Sequence, residues 1–268
     1  MYFGFMRPSE AAAPAFLRLA AHPLRWKLLA ELAASDYRVR ELVRRVGQPQ
    51  NLVSYHLRLL RGAGLVTARR SSFDARDSYY HLDLERCARG LADAGGALHP
   101  ALRLAPVPAP LPPSPTRRAR RPAVLFACTG NSVRSPIAEA LLRHRTDGQV
   151  DVTSAGSHPR PGIHGDAVQV LREQHGVDIS GQRPRHLETL LGRRFDYVIS
   201  LCDKVREVCP EFGAGRSGLV HWSIPDPTAT TGSGPVGHPA FVRTAAEIDT
   251  RIRYLVPLLV ATPQEVKQ

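Results

Sequence analysis

The chain has few cysteines and no long apolar segment, and both absences bear on the cellular compartment in which we expect it to function. It contains four cysteines in 268 residues, three of them after residue 127, which is not the pattern of an extracellular disulfide framework. The longest apolar run near the C-terminus, residues 254–261, includes a proline and is too short to span a bilayer. The first seven residues lack the basic and apolar regions of a signal peptide. We therefore expect a cytoplasmic protein with reduced, redox-active thiols and no membrane partner.

Acidic residues are outnumbered, and prolines are concentrated in one segment. The 36 Lys and Arg residues exceed the 24 Asp and Glu residues, which gives a formal charge of +12 and indicates nucleic acid or another polyanion as partner. Prolines recur every two or three positions between residues 99 and 122, a segment that also contains the Arg117–Arg121 cluster. This composition is typical of an extended spacer. The sequence therefore predicts a domain at 1–98, a linker at 99–122 and a second domain at 123–268.

The first domain has the pattern of a winged helix-turn-helix. Helical periodicity covers residues 11–21, 23–34, 39–46 and 49–62, and a turn containing Gly47 separates the last two. Leu52, Val53, Leu57 and Leu60 have core spacing on the second, recognition helix, and residues 65–70 and 78–84 alternate like the strands of a β-wing. Polar side chains outside that core are candidate contacts to bases and phosphates, namely Gln50, Asn51, Ser54, Tyr55, His56 and Arg58 on the helix and Arg69, Arg70 and Arg76 in the wing.

Residues 12–90 resemble the ArsR-type winged helix-turn-helix repressors. The matching features are Ala21–Arg25, Val53–Leu60, Gly62–Val66 and the tyrosine-containing return strand of the wing. The resemblance implies a homodimer, paired through terminal helices of the N-terminal domain, that binds palindromic operator DNA. The alternative is a helical interaction domain with solvated arginine faces.

The sensor region departs from that family. Arsenic-sensing relatives often carry a Cys-x-Cys pair where residues 36–42 of this chain have no cysteine. Cys87, His81 and His99 are metal-capable but lack tight spacing. No effector site is assigned from the sequence.

The second domain is organised around the segment Val124–Pro136. An apolar run ends at Cys128, a loop rich in Gly, Asn and Ser follows, and Arg134 precedes a helical pattern. The backbone N–H groups of such a loop bind a tetrahedral oxyanion and favour a thiolate, so Cys128 is a candidate nucleophile. The candidate oxyanion-binding residues are Thr129, Gly130, Asn131, Ser132, Val133 and Arg134. A buried cysteine beside an ordinary turn is the alternative.

Apolar strands alternate with helical stretches after the linker. Strands are predicted at 124–127, 150–154 and 197–201, and helices at 136–144, 164–175, 186–191 and 239–259. Such alternation favours a compact parallel sheet with helices on both faces and the active loop at the carboxyl end of a strand. The predicted fold class is thus a mainly α winged helix-turn-helix domain followed by an α/β parallel-sheet domain.

Two downstream features are expected near the loop. Cys202 ends a predicted strand and Cys209 follows seven positions later, a spacing that permits thiol–disulfide exchange if the intervening segment moves. Inert thiols or half of a zinc site are the alternatives. Asp226 precedes Pro227 in a turn-rich stretch, where a carboxyl group can protonate a leaving oxygen.

Residues 123 to about 262 resemble the low-molecular-weight protein tyrosine phosphatase fold and, within it, the thioredoxin-coupled arsenate reductases. The shared residues are Cys128–Ser132, Arg134–Ser135, Ala138–Glu139, Ser154–Gly156, Cys202 with Cys209, His221–Trp222 and Asp226–Pro227. The resemblance implies that Cys128 attacks arsenate, that Cys202 and then Cys209 carry the disulfide to thioredoxin, and that no cofactor is tightly bound. It also implies that Ser135 stabilises the thiolate by hydrogen bonding and that Asp226 is the general acid.

Potassium binding and two other functions bear on this interpretation. Some such reductases bind potassium through Asn, Glu, Ser and Asp side chains. Asn131, Glu139 and Ser154 match the first three of these ligands, but residues 182–185 offer no carboxylate where the Asp is expected. A fused tyrosine phosphatase needs no resolving cysteines, yet phosphatases usually follow Asp-Pro with an aromatic residue, where this chain has Thr228 and Ala229. The third possibility is a non-catalytic repressor that senses an oxyanion or the redox state.

Overall fold

The computed structural model describes residues 12–102, 121–208, 219–229 and 237–260. They form two compact units. The first comprises the described residues up to Ala33, Val39–Thr67, and those from Leu82 onward as far as residue 102. The second comprises Ala34–Arg38, Ala68–His81 and the described residues after the linker. The wing segment thus groups with the C-terminal region, so the compact units do not follow the predicted linear boundaries, which stay a prediction.

The N-terminal region is mainly helical, as expected. Its helices are α1 (Ala15–Ala20), α2 (Pro23–Ala34), α3 (Val39–Val46), α4 (Gln50–Gly62) and α5 (Leu84–Leu98), with a 3-10 turn at Pro100–Leu102. Asp83 starts α5 because its side chain accepts a hydrogen bond from the backbone N–H of Arg86. Gly47, with φ +67°, ends the turn that follows α3, where a residue without Cβ is favoured.

Helix α4, the predicted recognition helix, buries three of its four predicted core residues, with His56 in place of Leu52. Its buried residues are Val53, His56, Leu57 and Leu60, a spacing of i, i+3, i+4 and i+7 that defines one helical face. Leu52 lies off that face and is 37% exposed. His56 instead points inward, is 5% exposed and lies 4.4 Å from the His22 ring. His56 is therefore a core residue and not an available DNA contact.

A three-stranded sheet includes the wing. Its strands are β1 (Tyr37–Arg38), β2 (Val66–Arg70) and β3 (Ser78–Leu82), in the order β1-β3-β2. Strand β1, which the sequence pattern does not predict, pairs antiparallel with β3 and places Tyr37 opposite Tyr80.

The C-terminal region contains a parallel four-stranded sheet, which confirms the predicted α/β class. Its strands are β4 (Ala123–Cys128), β5 (Asp151–Gly156), β6 (Tyr197–Ser200) and β7 (Leu219–His221), in the order β5-β4-β6-β7. The chain adds β5 on one side of β4 and β6 on the other. Such a reversal opens a crevice at the carboxyl ends of the strands, where ligands bind in α/β sheets. Cys128 ends β4 at that crevice.

Helices connect and cover the parallel strands. They are α6 (Arg134–Arg145), α7 (Gly165–His175), α8 (Asp203–Val208) and α9 (His238–Val260), with a 3-10 turn at Leu187–Leu190. Helices α6, α7 and α9 pack against one another, and α8 packs against β4 and β6. Strand β4 is buried along its whole length, as expected of a central parallel strand. Within the described ranges, no helix combines the length and apolarity needed to cross a bilayer.

In the C-terminal region, β7 was not predicted and α8 was left open as a short helix or a loop, because their sequence signals are short or mixed. Helix α8 has six residues with charged side chains, and β7 has three. Helix α6 begins at Arg134 rather than at Pro136, so Arg134 and Ser135 form its first turn. Pro136 is tolerated because the first helical turn needs no N–H donor there.

Candidate active site

A cleft of about 790 Å³ opens at the carboxyl end of β4. Its walls come from the β4–α6 loop, the segment after β5, the start of α8 and the turn after β7. The residues lining it are Cys128, Thr129, Gly130, Ser132, Val133, Arg134, His158, Arg160, Gly162, Ile163, His164, Lys204, Asp226 and Thr228. The fold thus brings the predicted nucleophile, loop, arginine and carboxylate to one place.

The β4–α6 loop is oriented by hydrogen bonds to its carbonyl oxygens. The carbonyls of Cys128, Thr129, Gly130 and Ser132 accept from the backbone N–H groups of residues 157, 158, 160 and 164, at 2.8–3.2 Å. In a trans peptide the carbonyl of one residue and the N–H of the next point in opposite directions. The N–H groups of Thr129, Gly130, Asn131 and Val133 therefore point away from that segment, an arrangement suited to holding an oxyanion.

A buried side-chain network fixes Ser135 beside Cys128, the predicted nucleophile. Ser135 Oγ lies 3.0 Å from Cys128 Sγ, and Asn131 Nδ2 donates to Ser135 Oγ and to Ser154 Oγ, each at 2.9 Å. The backbone N–H of Arg185 donates to Asn131 Oδ1 at 2.8 Å. A backbone N–H can only donate, so it sets the orientation of the amide. Because Ser135 accepts from Asn131, its own hydroxyl hydrogen is available to a Cys128 thiolate.

The side chain of Asn131 thus supports the loop from behind instead of lining the cleft. Its side chain is 1% exposed and its φ is +44°, a left-handed conformation that asparagine tolerates better than most residues. Gly156 makes the close packing behind the loop possible. A Cβ there would lie 2.6 Å from the carbonyl oxygen of Thr129 and 2.9 Å from the nitrogen of Asn131.

Arg134 is buried at the start of α6 and faces Asp226. Its Nη2 donates to Asp226 Oδ2 at 2.8 Å, and its Nη1 donates to the carbonyl of Ile224 at 3.0 Å. Burial opposes the charge on Arg134, but Cys202 and Asp226 outweigh it and raise the pKa of the guanidinium. Burial favours the neutral form of Asp226, yet Arg134 and the hydrogen bonds from Thr228 hold the pKa of that carboxyl below its usual value. The site therefore holds a charged ion pair.

Cys202 lies beside the β4–α6 loop. Its Sγ is 3.3 Å from Thr129 Oγ1, it is 2% exposed, and Leu201 N donates to the carbonyl of Ala127 at the end of β4. Burial raises the pKa of the Cys202 thiol, Arg134 acts against that rise, and Cys128 adds to it. Cys128 and Cys202 are both free thiols. Cys209, the predicted second resolving thiol, lies outside the described residues.

Several cleft residues were missed by the sequence interpretation. His158, Arg160 and His164 follow β5, and Lys204 is in the first turn of α8. Arg160 also acts to lower the pKa of Asp226. The basic character of residues 158–164 is a signal that is readable in the sequence, but only the fold places that segment against the loop.

The carboxylate that matched a potassium ligand is engaged by an arginine. Glu139 Oε1 accepts from Arg143 Nη2 at 2.6 Å, and the same nitrogen donates to the carbonyl of Val152. Across the described part of the chain, no cluster of three or more His, Cys, Asp and Glu side chains is arranged to hold a metal. The guanidinium of Arg143 therefore supplies positive charge at Glu139.

The predicted DNA-contacting side chains fall into three groups. Gln50, Asn51, Tyr55 and Arg58 are exposed on α4, and Ser54 is half-buried beside them. Arg70 and Arg76 are exposed in the wing. Arg69 is engaged by Glu247 in a two-pronged ion pair, with both distances 3.2 Å, and by the carbonyl of Ser223.

Cys87, the metal-capable cysteine of the first domain, is half-buried in α5, where burial and then Asp83 raise the pKa of its thiol to about 11.

Comparison with known proteins identifies two families along the chain. Residues 123–268 match the low molecular weight phosphotyrosine protein phosphatase family, and residues 22–68 match the bacterial regulatory proteins of the arsR family. An arsenate reductase of Halalkalibacterium halodurans is 34% identical over 130 residues, which cover 48% of this chain and 91% of the relative.

Two solved structures are also similar. One is an arsenate reductase in the phosphate binding state, with 28% identity, a TM-score of 0.45 and coverage of 52% of this chain and 98% of that one. The other is a low molecular weight protein tyrosine phosphatase from T. tengcongensis, with 26% identity, a TM-score of 0.42 and coverage of 51% and 99%. With its family match spanning residues 123–268, behind an arsR-family helix-turn-helix region, the chain belongs to the low molecular weight phosphotyrosine protein phosphatase family.

Proposed function

We propose that this chain is a DNA-binding regulator that carries its own thioredoxin-coupled arsenate reductase. The observation that carries the reductase proposal is the placement of a second buried thiol, Cys202, beside the loop that holds Cys128. A phosphatase has no use for a thiol there, whereas arsenate reduction needs one to accept the oxidising equivalents. The sequence relatives named arsenate reductase support the same choice.

The first step is binding of the oxyanion by the loop and Arg134. The inward N–H groups and the guanidinium neutralise arsenate. Arg134 contacts Asp226 in the structure, so oxyanion binding draws its guanidinium group away from that carboxylate. A neighbouring anion raises the proton affinity of Asp226, which allows the carboxyl group to protonate the oxygen that leaves when Cys128 Sγ attacks arsenic.

The second step reduces arsenic. Cys202 loses its proton and attacks Cys128 Sγ, the sulfur–arsenic bond breaks, and its electron pair stays on arsenic as As(V) becomes As(III). Two thiols are oxidised to one disulfide, so the electrons balance. Arg134 favours the Cys202 thiolate that this step requires. We propose that Cys209 then takes over the disulfide and that thioredoxin reduces it.

Arsenate-dependent oxidation of reduced thioredoxin by the purified chain tests the reductase. Cys202→Ser should abolish turnover while Cys128 still reacts once, and Cys87→Ser, at a half-buried thiol in α5, is the matched control that should keep turnover. Wild-type turnover by Cys202→Ser would refute the mechanism.

Tyrosine phosphatase activity is the second candidate, because Asp226 lines the cleft beside Arg134, where a carboxyl group can protonate the leaving oxygen of an ester. Among the described residues lining the cleft, however, none is Tyr, Phe or Trp, so an aryl ring would find no aromatic stacking partner there. Comparing turnover of an aryl phosphate with that of arsenate decides between the two. Faster hydrolysis of the aryl phosphate, with no thioredoxin oxidation, would favour the phosphatase.

For the regulator, we propose that α4 and the wing bind DNA as part of a homodimer. The exposed polar face of α4 supports the DNA contact, and an exposed apolar surface beside α1 and α5 supports the dimer. That surface includes Phe16, Leu17, Trp26 and Leu91. Selection of duplexes from a randomised library by the full chain tests DNA binding, and Arg58→Ala should weaken it with a smaller salt dependence. Failure to select any duplex would refute this part.

A further inference from the structure

The wing loop is held by the two carboxylates of helix α8, within the second compact unit. Asp203 Oδ2 accepts from the backbone N–H of Ser72 at 2.6 Å and from Ser72 Oγ at 2.9 Å. Glu207 Oε1 accepts from Ser71 Oγ at 3.1 Å. Hydrogen bonds to ionised acceptors are stronger than neutral ones, so these contacts fix two successive residues of the wing.

Glu207 also binds the sheet that carries the wing. Its Oε1 accepts from the Tyr79 hydroxyl at 3.0 Å, and its Oε2 lies 3.4 Å from Arg38 Nη1. Tyr79 is fully buried, and burial is the main reason that its pKa is raised, so it stays a donor. One helical carboxylate therefore gathers donors from β1, β3 and the wing loop.

Ser71 is the centre of the wing loop. Its Oγ accepts from the backbone N–H groups of Phe73 and Asp74, each at 3.1 Å, while its hydroxyl hydrogen goes to Glu207. Arg70 and Arg76 project into solvent from either side of this ordered loop. Helix α8 thus fixes the loop that presents the two exposed wing arginines.

The same helix is joined to the resolving thiol. Cys202 immediately precedes Asp203, and its carbonyl accepts from the backbone N–H of Arg206, so a turn of the Cys202 backbone moves the start of α8. Cys202 Sγ now contacts Thr129 Oγ1. A disulfide requires a sulfur–sulfur distance of about 2.05 Å and a dihedral angle of about 90°, which constrains the Cys202 backbone. A contact as short as that between Asp203 and the Ser72 N–H weakens steeply when it is displaced.

We propose that α8 couples the thiol chemistry of Cys202 to the DNA-binding wing. When Cys202 forms its disulfide with Cys128, the first turn of α8 shifts, the wing loop is released, and affinity for DNA falls. The coupling rests on the proposed reductase function, because the disulfide forms only if Cys202 expels arsenite from Cys128. Arsenate would then act as both substrate and inducer, which accounts for a regulator that has no cysteine pair at residues 36–42.

The test compares the two redox states of the full chain carrying Cys209→Ser, which holds the disulfide at Cys128 and Cys202. Reduced protein and protein treated with arsenate are probed by trypsin cleavage after Arg76 and by affinity for a duplex selected by the reduced chain from a randomised library. Cleavage should be faster, and affinity lower by about tenfold, in the oxidised state.

Two variants separate wing release from misfolding. Tyr79→Phe combined with Ser72→Ala removes two hydroxyl donors to α8, and its reduced form should already show faster cleavage and weaker DNA binding. Thr189→Ala removes a hydroxyl that donates to the carbonyl of His186 elsewhere, and it should behave as wild type.

The outcomes distinguish the coupling from the activities beneath it. Equal cleavage and equal affinity in both redox states, with thioredoxin oxidation and duplex selection intact, would overturn the coupling alone. Faster cleavage with unchanged affinity would overturn its DNA-binding half. Absence of arsenate-dependent thioredoxin oxidation by the unmodified chain would overturn the coupling together with the reductase.

Discussion

Replacing Asn131 by alanine and by glycine separates two ways in which this residue holds the oxyanion loop. Its buried side chain makes three hydrogen bonds, to Ser135, Ser154 and the backbone of Arg185. At about 1 kcal/mol net for each, the loss of these bonds should lower the free energy of unfolding by about 3 kcal/mol in the glycine variant. Alanine should cost about 1 kcal/mol more than glycine, because φ is +44° and a Cβ is unfavourable in that conformation.

Urea unfolding followed by the fluorescence of Trp222 measures this effect. Trp222 is buried in the second compact unit, whereas Trp26 is 58% exposed, so Trp26→Phe serves as the background. With a slope of about 2 kcal/mol per molar urea, the midpoint should fall by about 1.5 M for glycine and about 2 M for alanine. Midpoints equal to that of the background protein would refute the network as a stabilising element.

The same variants test the orientation of Ser135. Without Asn131, nothing directs the Ser135 hydroxyl hydrogen toward Cys128. Alkylation of Cys128 by iodoacetamide should therefore slow by about tenfold, which corresponds to the free energy of one hydrogen bond to a charged group. Ser135→Ala is the matched control and should slow alkylation to a similar degree. An unchanged alkylation rate in both Asn131 variants would show that the hydroxyl is oriented by another group.

Three further predictions concern the loop, the wing contact and the dimer. Gly156→Ala should displace the loop and slow the first turnover by about a hundredfold, whereas Gly181→Ala, at a position with open space, should not; equal rates would refute the packing argument. Hydrogen bonds from His221, Ser72 and Ser223 overcome burial and lower the pKa of Asp203 to about 2. A lowered pKa stabilises the fold above the ordinary value and loses this effect as pH falls toward about 2, so Asp203→Asn should destabilise by about 2 kcal/mol near pH 7. This difference should shrink below about pH 4, and a constant difference in urea midpoints would contradict it. Leu91→Glu should shift sedimentation toward monomer, while Leu191→Glu, on the exposed surface of the other unit, should not; an unshifted Leu91 variant would place the dimer interface elsewhere.

Much of the fold follows from local pattern. Long amphipathic helices such as α2 and α4 and the buried strand β4 were predicted because their apolar periodicity is continuous. The short elements were not, since α8 has only six residues and β7 three, and neither length gives a readable period. The inward turn of His56 in place of Leu52 also escaped prediction, because hydropathy alone ranks leucine above histidine as a core residue.

The candidate site was predicted in its chemistry but not in its supporting contacts. The thiol, the loop and Arg134 are adjacent in the chain, so their cooperation is local and readable. Arg160 and Lys204 line the cleft and the amide of Asn131 holds the loop only because the fold brings them there. No linear spacing places residues 157–164 against the loop carbonyls.

By itself the sequence predicted the chemistry proposed for this protein, namely a cysteine at the start of a loop suited to an oxyanion, a downstream pair of cysteines and a helix-turn-helix region. Those properties reside in side-chain identity and short-range spacing. Only the tertiary structure decided which of these groups meet. Parallel pairing of β4 and β6 brings Cys202 to the loop, and the carboxylates of α8 bring the wing to Cys202. Both depend on contacts between residues more than seventy positions apart, which local propensity does not encode.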